Sequence, residues 1–118
     1  MNFKGKMMVF PLTEICSKNE FFDYEAKYNG LSNEVTPAQV DQHTSQLMQD
    51  TAKKLYRMLN CRGIVRFDFI YNEKKEKLYF LEINTIPGQS AESIVPKQAR
   101  AMGISTSQLY TMLIESFL

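Results

Sequence analysis

The stretch "GIVRFDFIYNEKKEKLYFLEINT", residues 63 to 85, decides the architecture. Two runs of alternating side chains flank a charged "EKKEK", the pattern of two strands joined in an antiparallel hairpin. Strand side chains alternate faces, so the pairing that keeps apolar residues together sets the register. Placing Phe69 opposite Leu81, Phe67 opposite Ile83, Val65 opposite Thr85 and Tyr71 opposite Tyr79 makes one face almost wholly apolar and leaves a five-residue loop, 73–77. The other face then carries Asp68 opposite Glu82 and Arg66 opposite Asn84. Two carboxylates about 4 Å apart repel by about 4 kcal/mol at an effective dielectric of about 20, so a positive charge belongs between them. The residues alone leave two readings open. Arg66 centres an ion pair on a solvated strand face, or the carboxylates and the amide hold a hard cation such as Mg²⁺.

Downstream, "IPGQSAES" (86–93) reads as a loop. Gly88 lets backbone approach a ligand, and Ser90 and Ser93 suit a carboxylate or a developing negative charge, although a Pro-Gly pair alone is also an ordinary turn. A short helix is expected over 96–102, stopped by Gly103. Ser105 and Gln108 form a capping box opening a last helix, with Leu109, Met112, Leu113 and Phe117 on its buried side. Upstream, Thr36 and Pro37 read as the N-cap and first position of a long helix ending near 60–63. Its core stripe is Val40, Thr44, Leu47, Met48, Thr51, Leu55, Met58 and Leu59. "MMVFPLTEI" (7–15) reads as a strand flawed at Pro11, and 16–35 as a long ordered loop or short irregular strands. The order β, loop, α, β, β, α, α is that of an α+β domain, an antiparallel sheet packed with helices.

With 118 residues, 44% of them hydrophobic, the chain reads as a single unit over 1–118 with a core of its own. Fourteen basic against thirteen acidic residues, a formal charge of +1, give no field that would recruit nucleic acid or an anionic membrane. Cys16 and Cys61 belong to no CxxC pair, which fits reduced thiols in the cytoplasm. No apolar run approaches the about 18 residues of a membrane span. Spacing gives no catalytic role to His43, Lys27, Tyr24 or Tyr28, and Met48, Met58, Met102 and Met112 read as core filler.

"GIVRFDF…YFLEINTIPGQSAESIVPKQARAMGIS" resembles the C-terminal end of the D-alanine–D-alanine ligases of the ATP-grasp superfamily. The combination R-x-D, L-E-x-N-T-x-P-G, a serine five residues past the glycine and a Gly-x-S before the last helix carries the likeness. "FFDYEAKY" (21–28) is similar to an aromatic-rich segment of the same family, so the resemblance covers nearly the whole chain. It implies the C-terminal part of an ATP-grasp fold and an ATP-dependent joining of two D-alanines through an acylphosphate, for peptidoglycan. It further implies that Asp68, Glu82 and Asn84 are ligands of two Mg²⁺ (or Mn²⁺) ions, Glu82 bridging. Arg66 would face the transferring phosphate, and the Gly88 N–H would help hold the oxyanion. Ser93 would bind the carboxylate of the second D-alanine. Lys27 and Tyr28 would belong to a loop that closes over phosphates and substrate, and Phe21 would lie near the adenine.

Ligases of that family are about three times as long and bind ATP through a glycine-rich loop, for which the five glycines here supply no counterpart. The expectation is therefore a C-terminal fragment, without the N-terminal and central domains, inactive alone and homodimeric only as part of a full-length enzyme. Gln89 departs from the Met or Phe more common after the Pro-Gly. Two alternatives stand beside this reading: another ATP-grasp carboxylate–amine ligase, against which "NTIPG", Ser93 and "DYEAKY" speak, or a noncatalytic binding module that keeps the hairpin.

Overall fold

The computed structural model describes residues 1–17 and 32–118, which form three two-stranded antiparallel ladders and three helices. β1 (Asn2–Phe3) and β2 (Lys6–Met7) close a tight turn in which Lys4 and Gly5 both take positive φ. β3 (Glu14–Ser17) pairs with β4 (Ser32–Val35), Glu14 opposite Val35. The strand expected over 7–15 is thus two separate pieces. Pro11, which has no N–H to give a ladder, falls in the irregular stretch between them.

α1 (Gln42–Met58) opens later than the sequence suggests. Its N-cap is Asp41, whose Oδ1 accepts the Thr44 N–H at 2.7 Å. Thr36 and Pro37 lie in the approach instead, joined by a cis peptide, with the Thr36 hydroxyl 2.6 Å from that of Thr13. The expected stripe is also rotated. Thr44 and Tyr56 are buried with half-buried Met48 and Ala52 on the same four-residue line, whereas Leu47, Met58 and Leu59 are exposed. Tyr56 is fixed by donating to the Gly63 carbonyl at 2.6 Å, and burial raises its pKa. Asn60 ends the helix at a φ of 54°, with its N–H on Arg57 O and that of Cys61 on Tyr56 O, the paired bonds of a left-handed C-cap.

β5 (Arg66–Asn72) and β6 (Lys77–Asn84) form the expected hairpin, in a register that changes along its length. Arg66 faces Asn84, Phe67 faces Ile83 and Asp68 faces Glu82, as alternation dictates. Past a bulge between Asp68 and Phe69 the pairs become Phe69–Phe80, Ile70–Tyr79, Tyr71–Leu78 and Asn72–Lys77. The expected pairs Phe69–Leu81 and Tyr71–Tyr79 do not form, and Val65–Thr85 lies outside the ladder. Leu81, expected in the core, is 57% exposed. The shift brings Phe80 within 6.0 Å of Phe67 and 5.9 Å of Phe69, ring centroid to centroid. Such aromatic pairs contribute about 0.5–1.5 kcal/mol beyond their buried area, a physical reason for the offset register.

α2 (Ile94–Ala101) starts two positions before the expected Pro96, which therefore sits in the first turn, where its missing N–H costs nothing. Gly103, at a φ of 86°, closes it, with the Ile104 N–H on Ala99 O and its own on Arg100 O. α3 (Thr106–Glu115) opens on the capping box: the Gln108 N–H reaches Ser105 Oγ at 3.1 Å and the Ser105 N–H reaches Gln108 Oε1 at 2.8 Å. Val95, Ala99 and Leu109 from these helices meet Met1 in the core, covered by Phe3, Met8, Phe10, Ile64, Ile104, Met112 and Leu113. Phe117, expected on the buried side, is 53% exposed. It lies one turn past that cluster, with its ring against Gly63 and beneath the Arg62 guanidinium. No helix among the described residues is long and apolar enough to cross a membrane.

Candidate functional site

Arg66 and Asp68 stand two residues apart on β5 and so share a face, directly across from Asn84 and Glu82 on β6. Arg66 grips Asp68 in a two-pronged bond, Nε to Oδ1 at 2.9 Å and Nη2 to Oδ2 at 3.1 Å. That bond raises the Arg66 pKa above its ordinary value, and the charges of Glu82 and Glu34 add to the effect. A guanidinium therefore does sit where two facing carboxylates require positive charge. It is only a quarter exposed, so the pair is less screened than a fully solvated one. The Glu82 side chain is exposed, with no hydrogen bond or ion pair to another described residue. Asn84 Oδ1 accepts the Ile86 N–H at 3.1 Å, turning the end of β6 into the loop that follows.

The donors on this face are all hard oxygens. Among the described residues no three His, Cys, Asp or Glu side chains cluster as a metal site. Two carboxylates and an amide oxygen suit Mg²⁺, which commonly takes one or two carboxylates and completes its shell with water and phosphate oxygens. They suit zinc less well, since its sites usually include His nitrogen or Cys sulfur. Arg66 engages both oxygens of Asp68, so the ion pair and a cation compete for one carboxylate while Glu82 stays available to a cation.

The loop after β6 brings Gly88 against Ser93. A Cβ on Gly88 would stand 2.9 Å from Ser93 Oγ, so only glycine fits without displacing that hydroxyl. Ser93 is the N-cap of α2 but makes no side-chain capping bond; its Oγ lies 2.7 Å from Ser90 Oγ instead. The first bond of the helical ladder is Lys97 N–H to Ser93 O, which leaves the Ile94 and Val95 N–H groups ahead of it. Hydroxyls beside free N–H groups at the positive end of a helix favour an anion.

Of the residues singled out from the sequence, Arg66, Asp68, Glu82 and Asn84 come together on one face, and Gly88 and Ser93 meet in the adjoining loop. Phe21, Lys27 and Tyr28 lie outside the described residues. Leu81, expected in the core, stands exposed next to Glu82 at the bulge, and alternation carries no signal for an inserted residue.

Residues 2–115 match the family model described as the D-ala D-ala ligase C-terminus. The D-alanine–D-alanine ligase of Flavobacterium johnsoniae is 48% identical over 115 residues, which are 98% of this chain and 35% of that protein. The corresponding ligase of Bacteroides fragilis is 45% identical over 96% of this chain and 35% of its own length. Among solved structures, the D-Ala:D-Ser ligase of Enterococcus faecalis superposes with a TM-score of 0.81 at 31% identity, covering 99% of this chain and 34% of that one. The D-alanine–D-alanine ligase of Bacillus anthracis complexed with ATP gives 0.74 at 31% identity, over 91% and 35% of the two chains. The chain thus spans about a third of the length of the relatives it matches. Its helices and antiparallel hairpin are the C-terminal part of an ATP-grasp ligase fold, and by the match over nearly its whole length it belongs to the D-alanine–D-alanine ligase C-terminal family.

Proposed function

We propose that this chain supplies the metal-binding and second-substrate half of a cytoplasmic, homodimeric ligase that uses ATP to join two D-alanines for peptidoglycan. The observation that carries the reading is the hairpin register, which sets Asp68 across from Glu82 and Arg66 across from Asn84. The relatives' ligase names and the ATP-bound neighbour support ATP and D-alanine as substrates. Cys61, a free thiol, is in keeping with a reducing compartment.

Asp68, Glu82 and Asn84 would hold the two Mg²⁺ (or Mn²⁺) ions, which neutralise phosphate oxygens and polarise the γ-phosphorus when bound. Arg66, on the same face, turns its N–H donors to the transferring phosphoryl group once Asp68 takes a cation in place of the ion pair. Exposed Leu81 beside Glu82 offers an apolar surface to the nucleoside, with Phe21 near the adenine. One D-alanine carboxylate oxygen attacks the γ-phosphorus as the bond to ADP breaks, giving an acylphosphate. The amino group of the second D-alanine then attacks the acyl carbon, loses a proton and expels phosphate. The Gly88 N–H stabilises the oxyanion of that step, and Ser93 with the start of α2 binds the second carboxylate. Lys27 and Tyr28 act on the phosphates and in shielding the acylphosphate from water.

Joining residues 1–118 to the N-terminal two-thirds of such a ligase and measuring D-alanine-dependent phosphate release from ATP tests the reading. Sustained release is expected, whereas a noncatalytic binding module would give none. The 118 residues alone should release none and bind Mg²⁺-nucleotide weakly, if at all; tight binding would contradict the half-site.

A further inference from the structure

The loop that carries Gly88 and Ser93 is short, and its backbone carbonyls are held by side chains from both following helices. The Tyr110 hydroxyl of α3 donates to the Gln89 carbonyl, 21 residues away in sequence. Arg100 of α2 donates through Nη2 to the Ala91 carbonyl at 2.6 Å and through Nη1 to Thr106 Oγ1 at 3.4 Å. Gln89 also folds its own amide back, Nε2 to Pro87 O at 3.3 Å, over a buried proline, and buries an Oε1 that finds no partner. Gln89 is thus held at backbone and side chain alike, although Tyr110 itself is 39% exposed. An exposed tyrosine adds little to the core, so its effect falls on the loop it holds.

We propose that Tyr110 is a positioning residue for the second substrate: through the Gln89 carbonyl it fixes the Gly88–Ser93 segment, and hence where the Ser93 hydroxyl meets the incoming carboxylate. This rests on Ser93 as the carboxylate-binding residue. Gly88 and Ser93 already touch at the limit of packing, with no space for a Cβ between them, so a loop released from Tyr110 moves the hydroxyl relative to the oxyanion N–H. Arg100 holds the same loop at its other end and limits the release to a partial one.

The test is Tyr110→Phe, read in two ways. In the 118-residue chain, hydrogen exchange of the amides of residues 88–93 should quicken about fivefold, the loss of one hydrogen bond, with the melting temperature lowered by no more than a few degrees. In a ligase carrying this segment, KM for the second D-alanine should rise about fivefold while KM for ATP and kcat stay near wild type. Unchanged exchange overturns the positioning role of Tyr110 and leaves the Ser93 assignment untouched. Faster exchange with an unchanged acceptor KM means that this loop does not bind the second substrate, which overturns the inference through the assignment on which it rests. Faster exchange with a fall in kcat alone overturns it as well, because the loop would then serve the chemical step rather than acceptor binding.

Discussion

The two ends of the β5–β6 hairpin obey different rules. At the open end, Arg66, Phe67 and Asp68 face Asn84, Ile83 and Glu82 in the pairing that alternation alone dictates. At the turn end, every pair from Phe69 to Asn72 is displaced by one residue, because β6 has one more residue than its partner. The same composition thus gives one end with a strictly sorted polar face and another where Ile70, Tyr79 and Leu81 all stand exposed. Alternation reveals faces and is blind to insertions. A bulge beside a carboxylate pair re-aims a side chain at the place where a ligand would sit, and bulges are over-represented next to functional sites for that reason.

The largest expected effect breaks the open end. In a ligase carrying this segment, Arg66→Met should lower kcat at least about a hundredfold, because it removes a preorganised donor to transferring charge. It also strips Asp68, which faces Glu82, of its ion pair; steady-state kinetics with melting curves separates the two losses. Gly88→Ala comes next. The new methyl has to displace Ser93 Oγ from 2.9 Å, and KM for the second D-alanine should rise about tenfold, ahead of any change in stability. Two substitutions either side of Glu82 sharpen the contrast between exposed and packed faces. Leu81→Ala should raise KM for ATP about fivefold at unchanged melting temperature, whereas half-buried Ile83→Ala should cost about 1–2 kcal/mol in denaturant unfolding and leave KM for ATP alone. The smallest effect lies away from both ends. The Asp41 carboxyl is held below the usual carboxylate range by the Thr44 N–H that it accepts. A group depressed in the folded state stabilises above its unfolded pKa of about 4 and loses that contribution as pH falls through the folded value. Helix circular dichroism should therefore hold from neutral pH to about 4 and decline below it, and Asp41→Ala should remove that acid step.

Signals that are local in the chain were legible. The Ser105–Gln108 box and the Gly103 stop follow from spacings of a few residues and appear with both capping bonds in place. The pairing of Asp68 with Glu82 follows from alternation because the open end contains no irregularity. The start of α1 is not legible because Thr36 and Asp41 are both good caps, and only the three-dimensional path decides which one meets a free N–H. Leu47, Met58 and Leu59 satisfy helical periodicity yet remain exposed, since periodicity gives a face without saying how far the neighbouring elements cover it. The bond from Tyr110 to Gln89 spans 21 residues and has no signature in sequence. The roles proposed for Lys27, Tyr28 and Phe21 rest on family likeness alone, for spacing reads Lys27 as a solvated lysine and Tyr28 as a packing residue.

Everything proposed for the open end of the hairpin depends on Glu82 holding, with Asp68 and Asn84, the magnesium of an ATP-dependent ligase. Glu82→Gln in a ligase carrying this segment, assayed for D-alanine-dependent phosphate release across a Mg²⁺ titration, tests it most directly. A loss of about a hundredfold or more at saturating ATP is expected, with half-activation moved to higher Mg²⁺. Near-normal release with an unchanged Mg²⁺ dependence would contradict it, and the polar face of the hairpin would then be no more than the Arg66–Asp68 ion pair.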